Sequence, residues 1–463
     1  MGDIGSILNT TRNAILSHLT ALNVTASNIA NVDTPGYSRL RPIFGSTGVI
    51  SAAAGQEQFD VNITSIERLY NKYLDAQVIQ QEQSVGYNDA QMDVLNRVEG
   101  IFNESTGGGI NDLLAQFWSA WSEVSANPSG TTERDNLVSI SQSLASMFRE
   151  KANDLISVQD DTNAAISDTV TELNGYLTQM ADYNKQIVQI ESSGGSAADL
   201  RDKRTELLRK ISQDIDVNYY EEANGALNVF ISNGRSLVEG SNVWKLDVKV
   251  NPANSNYYDV VFQDTPTVAI NDHLQGGKLA GLLDVRDTKA AGYLNDLDTM
   301  AATIITNVNA QHNSGYDLDG NVGGDFFSTV STRAKDMQVD STIIADVTRI
   351  AASATVNSDG NNAGLIAAIK DDASLMGGGA QTIDNFYESV VSRIGQDVSD
   401  SKRSQDHQTA VMTQMESARD AVSGVSLDEE MLNIIKYQAG YNAAARLSAI
   451  VNEMMDTLIN LGE

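Results

Sequence analysis

The side chains that could carry out catalysis or bind a metal ion are few in this sequence and widely spaced. None of the histidines occurs in a metal-binding pattern such as H-E-x-x-H, and no segment has the glycine pattern of a phosphate-binding loop or a nucleophile elbow. The absence of cysteine excludes disulfides, thiolate metal sites and a cysteine nucleophile. We therefore predict no catalytic, cofactor-binding or metal-binding residues. The four histidines are His18, His273, His312 and His407.

Two weaker chemical signals favour structural interpretations. Asp317, Asp319 and Asn321 resemble the start of a calcium loop, but the glycine is not at the sixth position and no glutamate closes the loop. A solvated turn is therefore the favoured interpretation. Trp118 and Trp121 have helical spacing, which is more typical of core packing than of a sugar-binding platform.

The residue spacing that does indicate a function lies near the two ends of the sequence. Residues 4–30 have the pattern of a long amphipathic helix whose apolar and companion positions each repeat every seven residues. Such a repeat predicts a seam that packs against another helix. The apolar row is Leu8, Ile15, Leu22 and Ile29, and the companion row is Ile4, Thr11, His18 and Thr25.

A second long helix is predicted over residues 427–461. Ser426 and Glu429 form a capping-box pattern, and acidic residues fill the first turn, where the helix dipole favours them. Its apolar residues follow a three-then-four spacing with polar interruptions, which again predicts a coiled-coil seam. The predicted seam consists of Met431, Ile434, Tyr441, Ala445, Met455 and Ile459.

We expect these two helices to pair with each other and to complete their burial against other subunits. The polar seam positions make an isolated pair weak, because burying each Leu or Ile is worth only roughly 1.5–3 kcal/mol. The pattern alone is equally compatible with two ordinary helices of one globular core.

Composition narrows the possible partners. The chain has 463 residues and a formal net charge of −30, which argues against nucleic acid and anionic membranes as partners. No run of apolar residues is long enough to span a membrane. The N-terminal segment lacks the basic region and apolar core of a cleaved signal peptide, so export would require other machinery.

The chain pattern predicts a mainly α fold with a β insert. Helical periodicity fills most of the chain, whereas alternating apolar residues flanked by Asn-Gly pairs predict hairpins near residues 224–234. The predicted domains are a terminal coiled coil with an extended connector (1–66 and 420–463), a long-helix bundle (67–215, 273–325 and 363–419), a small β domain (216–272) and a short irregular insert (326–362).

Several segments resemble the flagellar axial proteins of bacteria, a family of rod, hook and hook-associated proteins. Residues 23–39 resemble the N-terminal signature of that family, and residues 423–461 resemble the C-terminal segment of its hook-associated members. Residues 199–208, 276–283 and 309–327 are similar to the mid-chain segments of the same members. The N-terminal motif residues are Asn28, Asn31, Thr34, Pro35, Gly36, Tyr37 and Arg39.

The resemblance implies a structural protein that leaves the cell unfolded through the flagellar type III export apparatus. It would form the hook–filament junction as a helical ring of its own copies, between the hook protein and a second hook-associated protein. An export chaperone would bind its C-terminal helix, and the terminal coiled coil would line the inner channel. Another axial protein (hook or rod) is the alternative, and a secreted effector or adhesin is a more distant one.

Overall fold

The computed structural model describes residues 2–34, 36–51, 56–103, 108–356 and 359–460, with the backbone alone for 2–4, 46–51, 56–60 and 458–459. The two terminal helices, α1 (Gly2–Ala30) and α11 (Leu427–Asn460), pack against each other. A long antiparallel hairpin of β1 (Leu40–Ser51) and β2 (Gln56–Arg68) lies against α1. The predicted terminal coiled coil is therefore part of the fold.

A bundle of long helices forms the middle of the molecule. Apolar residues that recur every seven positions line the buried face of its longest helix, where Ile166, Leu173, Met180 and Ile187 are all fully buried. At 1.5 Å per residue this helix of 62 residues is about 90 Å long. The helices are α2 (Lys72–Phe102), α3 (Ile110–Ala126), α4 (Thr131–Ser192), α5 (Ala198–Asp214), α6 (Gly277–Asp284), α7 (Ala291–His312) and α10 (Ile383–Ser423), with a π-helical segment, Val285–Ala290, between α6 and α7.

Glycines allow three of these segments to cross closely. A Cβ on Gly86 of α2 would lie 2.0 Å from the carbonyl oxygen of Gln213 at the end of α5. A Cβ on Gly281 of α6 would lie 2.4 Å from the carbonyl oxygen of Tyr87. Side chains at these two positions would force the backbones apart, so the glycines set the spacing of α2, α5 and α6.

An aromatic cluster lies where α3 meets residues 326 and 327. It confirms the prediction that the tryptophans are packed in the core. Trp118 and Trp121 are buried with Phe326 and Phe327, whose rings meet Phe117 and Trp121. Residues 326–356 and 359–367 therefore pack onto the bundle core, although the helices described in them are short: α8 (Ser341–Ala345), α9 (Asn361–Ala367) and 3₁₀ turns.

His312 belongs to the same core. Its Nδ1 donates to the carbonyl oxygen of Gly324 at 2.5 Å, and its Nε2 accepts from the backbone N–H of Ala351 at 2.8 Å. Burial lowers the pKa of this imidazole to about 4. His312 is thus a neutral structural residue that fixes two loops, and both of its ring nitrogens are used.

The β insert consists of two small antiparallel sheets. Asn224-Gly225 and Asn233-Gly234 form turns at the two ends of β4, and both glycines have positive φ angles, as the Asn-Gly pairs predict. Asn184 of α4 donates to the carbonyl oxygens of Leu227 and Gly240, which attaches the first sheet to the bundle. The first sheet contains β3 (Val217–Glu221), β4 (Leu227–Ile231), β5 (Ser236–Glu239) and β6 (Asn242–Val243), and the second contains β7 (Leu246–Val250), β8 (Tyr258–Phe262) and β9 (Thr265–Ala269).

Within the described part of the chain, no helix combines the length and apolar character that crossing a membrane requires.

Candidate assembly site

The terminal helices run antiparallel in a register fixed by two contacts. Asn28 of α1 donates from Nδ2 to Oε2 of Glu430 in α11 at 3.1 Å. Ten residues earlier in α1, the ring of His18 lies on the backbone of Gly440, ten residues later in α11. Asn28 and Glu430, like His18 and Gly440, have residue numbers that add to 458. The antiparallel pairing is therefore regular between these two contacts.

Small and polar residues of α1 occupy the centre of this helix pair. Thr11, Ala21, Thr25 and Asn28 are buried, and with His18 they repeat at the spacing of a coiled-coil seam. The companion row predicted from the sequence thus lies at the centre, apart from Ile4, whose side chain is outside the described residues.

The predicted apolar row of α1 lies beside the centre of the pair. Leu8, Ile15, Leu22 and Ile29 are all half-buried in the single chain. On a helix of 3.6 residues per turn this row runs alongside the central row, on one flank of the helix. A neighbouring subunit could therefore cover it without disturbing the helix pair.

The predicted residues of α11 divide into two groups. Ile434, Tyr441 and Ala445 are half-buried on the side that faces α1. Met431 and Met455 are exposed, and the side chain of Ile459 lies outside the described residues. The buried side chains of α11 are instead Glu430, Tyr437 and Val451, which are spaced at intervals of seven or fourteen residues.

A polar latch closes one end of the pair. The side-chain amide of Asn28 is fully used: Nδ2 donates to the carbonyl oxygen of Leu40 and to Glu430, and Oδ1 accepts from the Leu40 N–H and the Tyr37 hydroxyl. All four contacts are between 2.9 and 3.1 Å. Asn28 therefore holds the end of α1, the following turn, β1 and α11 together.

Arg39 completes the latch with two glutamates from the first turn of α11. Its Nη2 lies 2.7 Å from Glu430 Oε1, and its Nη1 lies 2.5 Å from Glu429 Oε2. Burial disfavours the charged guanidinium, but the hydrogen bonds and charges of the two glutamates outweigh it and raise the pKa of Arg39. The buried carboxylate of Glu430 is thus paired, as a buried charge must be.

The turn between α1 and β1 has two features of a type II turn. Gly36 has a φ of 77°, as the third position of this turn requires, and the N–H of Tyr37 donates to the carbonyl oxygen of Thr34 at 3.2 Å. Asn31 stabilises the helix end by donating to the carbonyl oxygen of Ser27 at 2.8 Å. Pro35, the remaining residue of the predicted motif, lies outside the described residues.

The residues after the turn attach the terminal helices to the bundle. The backbone N–H of Arg39 donates to the carbonyl oxygen of Ser423 at the end of α10, and the N–H of Leu69 donates to the carbonyl oxygen of Arg39, both at 2.9 Å. Asp202 of α5 accepts from the N–H of Ser38 and pairs with Arg68 at 2.7 Å. The segment after α1, the segment before α2 and the end of α10, which leads into α11, are thereby joined at Arg39.

Sequence reasoning missed Glu430, Arg68 and Asp202. Glu430 was grouped with its acidic neighbours as a helix-dipole residue, and the heptad position that it shares with Tyr437 was the available signal. Nothing in the spacing of Arg68 and Asp202, which are 134 residues apart, indicates that they pair.

The described residues also bear on the metal-binding signals considered in the sequence. They contain no group of three or more His, Asp or Glu side chains that could hold a metal ion. Asp317, considered above as a calcium ligand, instead accepts through Oδ1 from the N–H groups of Asp319 and Asn321 at 2.9 and 2.7 Å, which closes its own turn. Asp317 therefore stabilises a turn of the backbone.

Comparisons with known proteins agree with this geometry. The family model described as "Flagellar hook-associated protein FlgK helical domain" matches residues 95–327. Models for the flagella basal body rod protein and for the C-terminal part of the flagellar basal body rod FlgEFG protein match residues 8–37 and 417–461. These last two matches contain most of α1, the whole of α11, and Asn28, Glu429 and Glu430 of the latch.

Relatives match the whole length of the chain. Flagellar hook-associated protein 1 of Bacillus subtilis is 29% identical, with 98% of this chain and 97% of the relative covered. The protein of the same name from Escherichia coli is 24% identical, with 99% and 100% covered. A solved structure, that of the flagellar hook junction protein FlgK from Burkholderia pseudomallei, is similar in fold, with a TM-score of 0.66 at 17% identity over 75% of this chain and 100% of that chain.

These matches place the chain in the bacterial flagellum, in association with other axial proteins. The family model covers half of the chain and its relatives span the rest. The chain therefore belongs to the family of flagellar hook-associated proteins, which are structural proteins of the flagellum and not enzymes.

Proposed function

We propose that this protein forms the junction between hook and filament, as a ring of identical subunits whose terminal helices become ordered when the ring assembles. The hook protein would contact one side of the ring, and a second hook-associated protein the other. Before assembly the chain would be exported without a cleaved signal peptide, with an export chaperone bound to the C-terminal helix. Its site of action would be outside the cell.

The observation that carries this proposal is the apolar surface that the terminal helices leave uncovered. In α11, Leu432 is 67% exposed and Ile435 is 63% exposed, although both lie within a helix that packs on α1. Large apolar side chains exposed in rows on a helix mark a surface that contacts another protein. The other exposed residues of this kind among the described side chains are Ile7, Leu16 and Leu19 in α1, and Leu427, Met431, Leu447, Ile450, Met454 and Met455 in α11.

The composition of the helix pair supports assembly-coupled folding. Its centre contains small and polar residues, so the pair buries little apolar area of its own. A segment that cannot bury enough apolar surface alone becomes ordered when a partner supplies the remainder. The half-buried row of Leu8, Ile15, Leu22 and Ile29 would complete its burial against a neighbouring subunit, as would Met431 and Met455.

The arrangement of the domains is part of the same proposal. The terminal domain (1–66 and 420–463) would line the inner channel, the bundle would form the next shell, and the β domain (216–272) would face outward. The three segments joined at Arg39 support a defined angle between the terminal helices and the bundle.

A charge in the apolar row tests the subunit contact. Leu22→Asp should leave the bundle folded but prevent incorporation into flagella, because the neighbouring subunit would have to bury an unpaired carboxylate. The control is Asn23→Asp, which places the same charge on the adjacent exposed position. Incorporation is measured by immunoblotting of purified flagella, and normal incorporation of the Leu22→Asp chain would refute the proposed interface.

Immunogold labelling of intact flagella tests the location. An antibody raised against residues 216–272 should give one narrow band at the hook–filament boundary. Label along the whole hook would identify a hook protein instead. Signal in the medium without label on flagella would favour a secreted effector.

A further inference from the structure

We propose that His18 and Gly440 form a register key, a side chain and a matching gap that fix the axial alignment of α1 against α11. The inference deepens the proposed function, on which it rests for the context of assembly. It assigns a specificity role to one residue of each terminal helix. Three observations support it: the shape of the contact between His18 and Gly440, the seven-residue repeat of the seam, and the stability that each of the two residues costs the helix pair.

The contact has no room for a side chain at position 440. A Cβ on Gly440 would lie 2.4 Å from Cε1 and 2.5 Å from Nε2 of His18, distances that real Cβ atoms do not show. The imidazole cannot easily move away, because the ring of Phe44 lies 5.7 Å and the ring of Tyr437 6.4 Å from it, centre to centre. The phenyl ring of Phe44 also meets that of Tyr437 at 5.8 Å, which closes the third side.

The repeat of the seam offers alternative registers that such a key, together with the Asn28–Glu430 contact, excludes. The central rows of both helices repeat every seven residues, so a shift of α1 by one repeat restores a similar pattern of small and apolar contacts. Such a shift displaces the helices by about 10 Å, at 1.5 Å per residue. It would place His18 opposite Asn433 or Leu447, both of which have a Cβ, because α11 contains a single glycine.

Neither His18 nor Gly440 is a residue that would be favoured if only the stability of the helix pair mattered. The Nδ1 atom of His18 is buried and has no hydrogen-bond partner among the described residues, which is costly for a polar group. A glycine in the middle of a helix is less favourable than alanine. A polar residue in a coiled-coil seam that fixes register at the expense of stability has this character.

The register matters for assembly because it sets the position of the exposed apolar residues. Leu447 and Ile450 are carried by α11, whereas Leu16 and Leu19 are carried by α1. In a subunit shifted by seven residues, these two sets would be displaced relative to each other by about two helical turns, or about 10 Å. The key would therefore exclude subunits that are paired but wrongly aligned.

Disulfide reporters can measure the register directly, because the chain contains no cysteine. Ala444→Cys is combined in turn with Ala14→Cys, Ile7→Cys or Ala21→Cys. Positions 14 and 444 add to 458, so this pair reports the observed register, and the other two pairs report a shift of seven residues in either direction. A disulfide forms only when the Cα atoms approach within about 7 Å, so the three pairs are mutually exclusive.

With the native key, we expect the 14–444 pair to cross-link in purified flagella and the other two pairs to remain reduced. Gly440→Ala should lower the yield of the 14–444 disulfide by about tenfold or more, because overpacking of this size is strongly unfavourable. Adding His18→Ala to the Gly440→Ala chain should restore the yield, since the added methyl group then has space. Gly100→Ala, at an open position of α2, is the matched glycine control.

Either of two results would overturn the inference. One is an unchanged 14–444 yield in the Gly440→Ala chain. The other is a loss that His18→Ala does not restore, which would mean that Gly440 acts through another contact. The rescue also distinguishes loss of the key from general misfolding.

The same samples separate this inference from the proposed function. If the reporter chain with the native key cross-links at 14–444 but is absent from the hook–filament boundary, the proposed function fails and the register stands. If that chain is at the boundary but does not cross-link at 14–444, the register is wrong and the proposed function stands.

Discussion

Glu430 concentrates the polar contacts of the terminal helices on one carboxylate. It accepts from Asn28 and Arg39 and is nearly completely buried, whereas its neighbour Glu429 is 60% exposed although it contacts the same arginine. These two adjacent glutamates thus differ in burial, which is the property that decides the strength of an ion pair. Exposed pairs are weakened by water, whereas removing a buried partner leaves donors unsatisfied.

This difference predicts unequal effects of two matched substitutions. Glu430→Gln should destabilise the latch by about 1.5–3 kcal/mol, the usual value of hydrogen bonds to a charged group. Glu429→Gln should cost less than about 1 kcal/mol, as for an exposed ion pair. Amide hydrogen exchange of residues 427–441 in purified flagella measures both, and equal protection in the two variants would contradict the assigned roles.

Among the helices, the close crossing of α2, α5 and α6 sets the distances between their axes. Gly86 and Gly281 allow backbone atoms to approach within contact distance, which ordinary side chains prevent. This gives a structural reason for the glycines in residues 276–283, a segment that the sequence identified only by resemblance.

The crossing predicts opposite effects of the same substitution at two positions of α2. Gly86→Ala should destabilise the bundle by about 1–3 kcal/mol, because the added Cβ meets the backbone of Gln213 and not a movable side chain. Gly100→Ala should stabilise it by about 0.5–1 kcal/mol, since that position is open and alanine is the better helix former. Urea unfolding of the full chain, followed by circular dichroism, compares the two variants. Similar stabilities would show that α2 and α5 separate at little cost.

The positions of helices and strands were predictable from the sequence. Which residues of the terminal helices are buried within the pair was not. The last helix was predicted over 427–461 and observed over Leu427–Asn460, and the Asn-Gly turns located the first sheet. Large apolar residues dominate a periodic pattern, so the predicted seam included Met431 and Met455, which are exposed in the single chain. A pattern records that a side chain must be covered, but not whether its own chain or a neighbour covers it.

The candidate site was predictable to the same limited extent. The turn at Gly36 follows from local sequence, because only nearby residues determine its geometry. The contacts of Arg39 with Glu429 and Glu430 join residues about 390 positions apart, and spacing within either segment contains no information about them. Long-range polar pairs of this kind require the fold itself.

At the scale of the whole molecule, two buried carboxyl groups determine part of the response to pH. Burial raises the pKa of Asp214 to about 6, with a smaller contribution from Glu172, and burial likewise raises the pKa of Asp216 to about 6. Between about pH 4 and pH 6 the folded protein therefore binds more protons at these groups than the unfolded chain does. By linkage, their contribution to the free energy of unfolding falls as pH rises through this range.

Removing both charges should flatten this dependence. Each raised pKa corresponds to a loss on the order of 2–3 kcal/mol between pH 4 and pH 7. The Asp214→Asn/Asp216→Asn chain should therefore gain stability relative to the parent at pH 7 and little at pH 4. Urea unfolding at both pH values is the measurement, with the exposed Asp168→Asn of α4 as the control for loss of a surface charge. An equal gain at both pH values would show that the two groups are not protonated on folding.

The three segments that meet at Arg39 have a mechanical consequence. Only two segments, 69–71 and 424–426, carry the backbone between the terminal part and the bundle, and two such strands alone would leave a hinge. The segment after α1 is hydrogen-bonded at Arg39 to both sides of that hinge, which opposes its motion. Hydrogen bonds from Arg39 to Ser423 and from Leu69 to Arg39 prevent these segments from moving apart independently. Torque applied to the terminal helices of a rotating assembly would thus reach the bundle as a rigid displacement, and the protein would transmit rotation without acting as a flexible joint.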